Sequence, residues 1–319
     1  MTEIIPARET PMIAQWRECK ERAKEAVLLF QMGEFYEAFY EDAELISREL
    51  ELVLTHRQGI PMSGIPCHSH EGYVDRLVKS GHQVAIAQQM EPPQKGKTLV
   101  KRKITHFVSS GTTLSSSLIQ EKKNNFFAAL SVKGEQWGLA LLDVTTGEFI
   151  LMQEGDSKEI IDELHRATPS EILVSDTFRK KHQPILSDLK LHFPLHIREI
   201  AEWKFSEKRS RETLQKQFSV RDLDGWGVGQ WPIAITTAGT LLCYLKEELS
   251  LSLVHVRQLS PHFTEKYVVM DANSQGHLEL ASSLQEGARG VNLFSTIDRT
   301  CTAMGGGYSI NGFIIPFER

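Results

Sequence analysis

LLFQMGEFYEAFYEDA, residues 28–43, contains two periodic patterns joined by one turn. The stretch begins inside an apolar run, residues 26–30, whose length is typical of a buried strand. Beyond a turn at Gly33, apolar residues recur three or four positions apart, which predicts a helix with Glu34 and Glu37 in its first turn. The apolar residues of this predicted helix are Phe35, Phe39, Ala43 and Ile46.

The middle of this stretch places a large aromatic residue, Phe35, two positions before an acid, Glu37. Phe35 by itself is typical of a core residue paired with Phe39 at i,i+4. Glu37 by itself is typical of a solvated helix carboxylate. These three residues alone therefore leave a structural and a functional interpretation open.

The composition is that of an ordinary soluble protein. The chain has 319 residues, 41% of them hydrophobic and 24% charged, which is enough for two domains with their own cores. The formal net charge of -5 does not indicate a nucleic-acid-binding protein, so a DNA-binding surface would have to be local.

The sequence favours a cytoplasmic protein without a membrane segment. Its four cysteines form no Cys-x-x-Cys pair, which fits a reducing compartment. The first residues do not resemble a signal peptide, and no apolar run reaches the ~20 residues that a membrane span needs.

The first part of the chain alternates between helical and strand-like segments. Thr10 and Pro11 predict the start of a first helix, and a later helix is predicted to end at Gly81. The Gly- and Pro-containing segment 57–66 predicts an exposed loop. Further strands are predicted at residues 52–55, 84–87 and 104–108. This alternation is typical of a small α/β domain that ends near residue 111.

The second part predicts a different arrangement. Residues 111–120 have the composition of a linker, and an antiparallel meander of three strands follows. Helices and strands then alternate to a last helix at residues 233–249, which is the ribonuclease-H-like order. The predicted strands are residues 126–132, 137–144, 148–152 and 172–175, with a helix at residues 158–166 between the last two.

Several ordered motifs resemble the MutS family of bacterial DNA mismatch-repair proteins. The family's Phe-x-Glu signature falls on Phe35, Tyr36 and Glu37. The resemblance runs from about residue 10 to about residue 304. The other similar segments are residues 10–12, 59–66, 102–112, 142–148, 268–273 and 292–300.

The resemblance implies an α/β fold class with a defined domain order. Residues 1–112 would form a small mixed α/β mismatch-recognition domain, and residues 113–124 a linker. Residues 125–250 would form a ribonuclease-H-like connector domain. Residues 251–319 would begin a helical core, in which the sequence becomes atypical from about residue 307.

The resemblance also implies a task and a set of site residues. The DNA substrate would be a duplex with a mispair or a small insertion/deletion loop. Phe35 would be the wedge that stacks on a mispaired base, and Glu37 would hydrogen-bond that base. Neighbouring residues, loop residues and basic residues complete the candidate nucleic-acid contacts: Met32, Arg57, Pro61, Met62, Ser63, Lys97, Lys101 and Arg102.

Other family properties are implied for parts beyond this chain. The complete family protein is a homodimeric, DNA-dependent ATPase that uses ATP and Mg. We expect this chain to lack the ATPase, to bind no cofactor or metal, and to be a monomer that is not an enzyme. The connector domain is expected to contact downstream mismatch-repair proteins.

Two other functions remain open at this point. Asp143 lies in a predicted strand near Glu148, Asp162 and Glu163, so a ribonuclease-H-like, metal-dependent nuclease is one alternative. Asp143 equally suits a residue that opens the following turn. The other alternative is a connector-type interaction module that does not read mismatches.

Two further motifs are weak. Residues 96–98, Gly-Lys-Thr, resemble the end of a P-loop, but Glu91 occupies the position of the first glycine and two prolines follow it. Cys67, His68 and His70 could supply metal ligands, but they cannot close a tetrahedral site without a distant fourth.

Overall fold

The chain divides into two compact units. The computed structural model describes residues 10–91, 100–113, 124–263, 277–279 and 292–300. The first unit comprises residues 1–118 with 249–251, and the second comprises residues 119–248 with 252–319. In the described part of the chain, no helix is long and apolar enough to cross a membrane.

In the part of the chain that the structure describes, the first unit is a six-stranded mixed sheet with three α-helices. The strand order is β3-β4-β2-β1-β5-β6, in which only β1 and β5 pair in parallel among the described strands. The elements are α1 (Pro11–Ala23), β1 (Val27–Met32), β2 (Phe35–Phe39), α2 (Glu41–Leu50), β3 (Thr55–Arg57), β4 (Ile60–Pro66), α3 (His70–Lys79), β5 (Val84–Gln89) and β6 (Arg102–Val108).

The predicted start of α1 is confirmed. The Thr10 hydroxyl accepts a hydrogen bond from the backbone N–H of Ile13, and Pro11 occupies the first helical position. This cap satisfies one of the free N–H groups at the helix N-terminus.

The helix predicted from Phe35 onward is wrong. Phe35 begins strand β2, which forms a hairpin with β1, and α2 begins only at Glu41. The i,i+4 spacing of Phe35 and Phe39 also fits the two-residue period of a strand. Gly33 has φ 62°, as the first residue of a two-residue hairpin loop requires, so Glu34 and Glu37 are not in a helical first turn.

The loop predicted at residues 57–66 is a second hairpin. Only Gln58 and Gly59, both with positive φ, form its turn, and β4 continues to Pro66. The strand predicted at residues 52–55 begins only at Thr55. The two prolines of β4 misled the sequence interpretation because proline lacks the backbone N–H that a strand normally donates.

Side chains of the first sheet pack on both of its faces. Tyr36 and Ala38 point into a core shared with α2 and α3. On the opposite face, the Trp16 ring of α1 contacts the Phe39 ring edge-to-face with centroids 6.0 Å apart. The strand alternation of β2 therefore assigns Phe35, Glu37 and Phe39 to the face that α1 partly covers.

The second unit has the ribonuclease-H-like strand order that the sequence predicts. Its sheet order is β11-β10-β7-β8-β9-β12, with an antiparallel meander β7-β8-β9 and parallel pairing elsewhere. The elements are β7 (Phe126–Lys133), β8 (Gln136–Asp143), β9 (Phe149–Glu154), α4 (Ser157–Ala167), β10 (Glu171–Ser175), α5 (Asp176–Lys181), α6 (Gln183–His192), β11 (His196–Ile200), α7 (Glu207–Phe218), α8 (Pro232–Cys243) and β12 (Ser260–Pro261).

Helices cover both faces of the second sheet. Helices α4, α5 and α6 close a core on one face. Helix α8 lies so close to β8 that a Cβ at Gly138 would stand 2.7 Å from the Ile233 carbonyl carbon. Instead of ending as one helix, α8 continues as a π-helical turn, Tyr244–Glu248. Elements α5, α6, α7 and β11 were not predicted from the sequence.

The second unit continues beyond the boundary predicted at residue 250. Strand β12 pairs with β9, so residues 260 and 261 belong to the sheet of this unit. Most of the linker predicted at residues 113–124, namely 114–123, lies outside the described residues. Of the predicted helical core, the structure describes one short helix, Leu293–Ile297; the atypical region from residue 307 lies outside the described residues.

Candidate nucleic-acid interface

Strands β1, β2 and β4 bring the Phe-x-Glu residues to one face of the first sheet. In the antiparallel ladders Met32 lies opposite Phe35, and Glu37 lies between Phe30 and Gly64. Residues directly opposite each other in such a pair point to the same face. Met32, Phe35 and Glu37 are therefore neighbours on one surface.

Phe35 is an exposed aromatic side chain at the first position of β2. It is 49% exposed, whereas the next residue, Tyr36, is buried. The Tyr36 hydroxyl accepts a hydrogen bond from the Gln88 amide, which helps fix β2. Because β2 pairs with β1 on one side and β4 on the other, a rigid backbone presents the Phe35 ring.

Glu37 is a partly covered carboxylate on the same surface. One carboxylate oxygen lies 3.5 Å from a guanidinium nitrogen of Arg57. Burial raises the pKa of Glu37 above its ordinary value, although the charges of Arg57 and Arg102 act in the opposite direction. The carboxyl group takes up a proton more readily than an exposed glutamate does.

Two other candidate residues share this face. Met62 lies opposite Phe39, and Arg57 reaches Glu37 from the edge strand β3. The Met62 thioether side chain and the Arg57 guanidinium therefore lie on the same side of the sheet as Phe35 and Glu37. Arg57 and Met62 lie on strands β3 and β4, not in the exposed loop that the sequence predicted.

Two candidates on β4 are placed less favourably for DNA contact. Ser63 is buried and donates its hydroxyl to the Val53 carbonyl oxygen at 3.2 Å. Pro61 alternates with Met62 along β4 and so faces the other side of the sheet. Lys97 lies outside the described residues, whereas Lys101 is exposed.

Arg102 is buried, and its guanidinium makes its contacts inside the protein. It is only 7% exposed, and its guanidinium donates to the backbone oxygens of Gln31 at 2.5 Å and Val100 at 2.9 Å. The same group lies over the Phe30 ring, 5.1 Å from its centroid. These contacts argue against Arg102 as a phosphate contact, because the guanidinium is buried and its Nε and Nη1 already donate inside the protein.

Sequence reasoning missed two neighbours of the pair. Gly64 lies opposite Glu37, and Pro66 lies opposite Phe35. Gly64 has no side chain, so nothing projects from β4 over the Glu37 carboxylate. Alternation within residues 60–66 would have revealed both positions once that segment was recognised as a strand.

The residues of the nuclease alternative have structural partners. Asp143 is buried, and its Oδ1 accepts hydrogen bonds from the backbone and hydroxyl of Thr145 and the backbone of Thr146. Its Oδ2 accepts from the Asn125 backbone N–H. These contacts support the turn-forming interpretation of Asp143. Glu163 pairs with Arg166, and a side-chain hydrogen bond from Asn124 reaches Glu148.

The weak motifs gain no support. The Gly-Lys-Thr segment, residues 96–98, lies outside the described residues. His70 directs Nδ1 to the Cys67 carbonyl oxygen at 2.7 Å. Within the described residues, Cys67, His68 and His70 do not form a group of side chains that could hold one metal ion.

Comparison with known families identifies both units. The family model described as MutS domain I matches residues 10–117, and the model described as MutS domain II matches residues 125–257. The two models follow each other along the chain in the order of the two compact units. The fold and its domain order therefore define a protein of the MutS class.

Curated relatives agree with this assignment. The DNA mismatch repair protein MutS of Protochlamydia amoebophila is 45% identical over 93% of this chain and 34% of its own length. The proteins of the same name from Chlamydia abortus and Lachnoclostridium phytofermentans are 41% and 35% identical, over 97% and 94% of this chain. The chain belongs to the MutS family, and it spans about a third of the length of these relatives.

Proposed function

We propose that the first unit recognises mispaired or unpaired bases in duplex DNA by inserting Phe35 between bases, with Glu37 hydrogen-bonding the displaced base. The observation that carries this proposal is the exposed Phe35 ring on the same sheet face as the Glu37 carboxyl group, whose pKa is raised. Membership of the MutS family supports the choice of mismatched DNA as the ligand.

Physical chemistry favours a wedge for this task. Mispairs share no common pattern of donors and acceptors in the grooves, so hydrogen-bond readout of bases cannot detect all of them. They do share weak stacking and pairing, which lowers the free energy needed to kink the duplex. An apolar side chain that unstacks a base step from the minor groove converts this difference into affinity.

The hairpin provides what such a wedge needs. Phe35 follows the turn at Gly33 and is the first residue of β2, so its ring projects from a paired strand. Stacking of an aromatic ring on a base contributes about 1–3 kcal/mol. Met32 and Met62 would lie along the groove beside the inserted ring.

Glu37 adds discrimination. An ionised carboxylate repels phosphates, so it weakens binding to every duplex. A displaced base with a ring N–H, or protonation of the carboxyl group itself, relieves this repulsion at a mispair. The raised pKa of Glu37 supports the protonated form as a hydrogen-bond donor.

The test is a binding measurement on matched and mispaired duplexes with the Phe35→Ala variant. We expect the wild-type chain to prefer the mispaired duplex. Phe35→Ala should lose that preference, with mispair affinity reduced by about 5- to 150-fold because the stacking energy is absent. Fluorescence anisotropy with labelled duplexes measures both affinities.

Trp203→Ala provides the matched control, since Trp203 is an exposed aromatic residue of the second unit. This variant should keep the wild-type preference. Equal binding of the wild-type chain to both duplexes, or an unchanged preference in Phe35→Ala, would overturn the wedge.

We propose that ATP and Mg are used by parts of the family protein other than domains I and II. The absence of a complete P-loop from the 319-residue sequence supports this division. Dimer formation and contact of the second unit with downstream repair proteins stay predictions.

A further inference from the structure

Three potential metal ligands meet between two helices of the second unit, α4 and α6. His165 lies on α4, and Asp188 and His192 lie on α6. One ring nitrogen of each histidine and one Asp188 carboxylate oxygen all lie within 4.8 Å of one another. Among the described residues, no other three His, Cys, Asp or Glu side chains approach one another in this way.

We propose that His165, Asp188 and His192 bind a divalent transition metal ion, Zn²⁺, with water in the fourth position. The proposal is independent of DNA recognition by the first unit. Two imidazoles and one carboxylate, with an open fourth position, form a donor set that zinc accepts. Imidazole ligands favour Zn²⁺ over Mg²⁺ or Ca²⁺, which prefer oxygen.

The spacing of Asp188 and His192 on α6 would allow both side chains to bind the same metal ion. Asp188 and His192 are separated by four residues on α6, so they lie on the same side of the helix. This i,i+4 spacing is the one that places two zinc ligands of metalloproteases on one helix face.

His165 completes the group from the neighbouring helix. Its Nε2 lies 3.7 Å from a carboxylate oxygen of Asp188. The His165 and His192 rings meet edge-to-face with centroids 4.7 Å apart. Ligand atoms that share one tetrahedral zinc are separated by about 3.3 Å. The three ligand atoms here lie within 4.8 Å of one another, so they need to approach by up to about 1.5 Å to close the site.

The local environment allows this movement and keeps a lone pair available. Asp188 and His192 are exposed, whereas His165 is held in place beside the Phe193 ring. His192 Nδ1 lies 2.9 Å from the Asp188 carbonyl oxygen, and a proton donated there leaves a lone pair on Nε2.

The bound ion would link α4 to α6. A metal that binds the folded chain and not the unfolded chain raises thermal stability, and the increase grows with the ratio of free metal concentration to Kd. Because the ion would be held by side chains of both helices, its binding should stabilise the packing of α4 against α6.

The test is titration of the complete 319-residue chain with ZnCl₂ after removal of metal with a chelator, followed by calorimetry. We expect one equivalent of Zn²⁺ to bind the wild-type chain and to raise its Tm. His192→Ala and Asp188→Asn change exposed side chains, so both variants should fold, and each should weaken zinc affinity at least tenfold. In both variants the Tm increase should disappear.

His56→Ala is the control, since it removes an exposed histidine of β3 in the first unit. This variant should bind zinc as the wild-type chain does. Failure of the wild-type chain to take up one equivalent, or an equal loss in His56→Ala and His192→Ala, would overturn the site. Co²⁺ bound in place of Zn²⁺ should give visible absorption bands in the wild-type chain that are missing in His192→Ala.

Discussion

At the scale of single residues, the Glu37 carboxyl group is subject to opposing effects. Arg57 lies 3.5 Å away, and the positive charge of Arg102 also favours ionisation. Burial is nevertheless the larger effect and raises the pKa of Glu37. A carboxyl group with a raised pKa in the free protein is suited to be protonated against the phosphates of bound DNA.

We therefore predict that mispair binding depends on pH through Glu37. Affinity for the mispaired duplex should increase as the pH falls from 8 toward 5, because the raised pKa lets the bound carboxyl group take up a proton. Glu37→Gln should remove this dependence and should bind matched DNA about fivefold more tightly, since about 1 kcal/mol of charge repulsion is lost. Anisotropy titrations at several pH values measure both effects.

Glu34→Gln is the matched control, because Glu34 is an exposed carboxylate in the adjacent turn. Its pH dependence should match the wild-type chain. An identical pH profile in wild type and Glu37→Gln would contradict the hydrogen-bonding role.

At the scale of secondary structure, the β1–β2 hairpin positions the wedge through one glycine. Gly33 has φ 62°, a conformation that residues with a Cβ adopt with difficulty. A Cβ at Gly33 would meet no atom within 4 Å, so any effect of substitution arises from the backbone alone.

Gly33→Ala should destabilise the chain by about 1–2 kcal/mol. Gly72→Ala should have the opposite sign, because Gly72 lies in helix α3 without a positive φ and also has open space around it. Alanine in a helix is favoured over glycine by up to about 1 kcal/mol. Denaturant unfolding of the two variants measures both changes, and equal signs would contradict the turn assignment.

In the second unit, close packing of α8 on β8 depends on Gly138. A Cβ there would stand 2.7 Å from the Ile233 carbonyl carbon and 2.8 Å from the Ala234 nitrogen. Both contacts are with backbone, which cannot rotate away as a side chain can. The helix would have to move off the sheet.

Gly138→Ala should therefore destabilise the protein by about 1–3 kcal/mol, the range for overpacked cores. Gly225→Ala is the control, since a Cβ at Gly225 would meet nothing within 4 Å. Calorimetric Tm values of the two variants separate the effect of packing from that of removing a glycine. A Tm for Gly138→Ala equal to that of Gly225→Ala would show that the helix is not tightly seated.

At the scale of the whole molecule, the negative net charge opposes DNA binding. The formal net charge is -5, so attraction to phosphates has to come from a local group of cations. Of the candidate basic residues between positions 97 and 102, Lys101 is exposed, whereas Arg102 is buried and Lys97 lies outside the described residues.

Lys101→Ala should weaken binding to matched and mispaired duplexes alike. It should also reduce the slope of log K against log salt by about 1, as expected when one phosphate contact is lost. Lys79→Ala, on helix α3, is the control and should leave the slope unchanged. An unchanged slope in Lys101→Ala would remove Lys101 from the interface.

Much of the architecture could be predicted from local patterns. Local patterns predict the buried strands β1 and β5, the capped start of α1 and the meander β7-β8-β9. Each of these patterns lies within its own segment of the sequence. The β1–β2 hairpin could not be predicted by spacing, because Phe35 and Phe39 fit both a helix and a strand. Pairing with β4 on the other side of β2 favours the strand, and that contact is distant in sequence.

The amino-acid sequence by itself determined the family, the order of the two domains and the Phe35-x-Glu37 pair, because ordered motifs can be recognised without knowledge of three-dimensional contacts. The tertiary structure decided which side chains share a surface. It grouped Arg57 and Met62 with Phe35 and Glu37, turned Ser63 and Arg102 inward, and brought His165 next to Asp188 and His192. These relations depend on strand register and helix packing, which join residues that no local pattern connects.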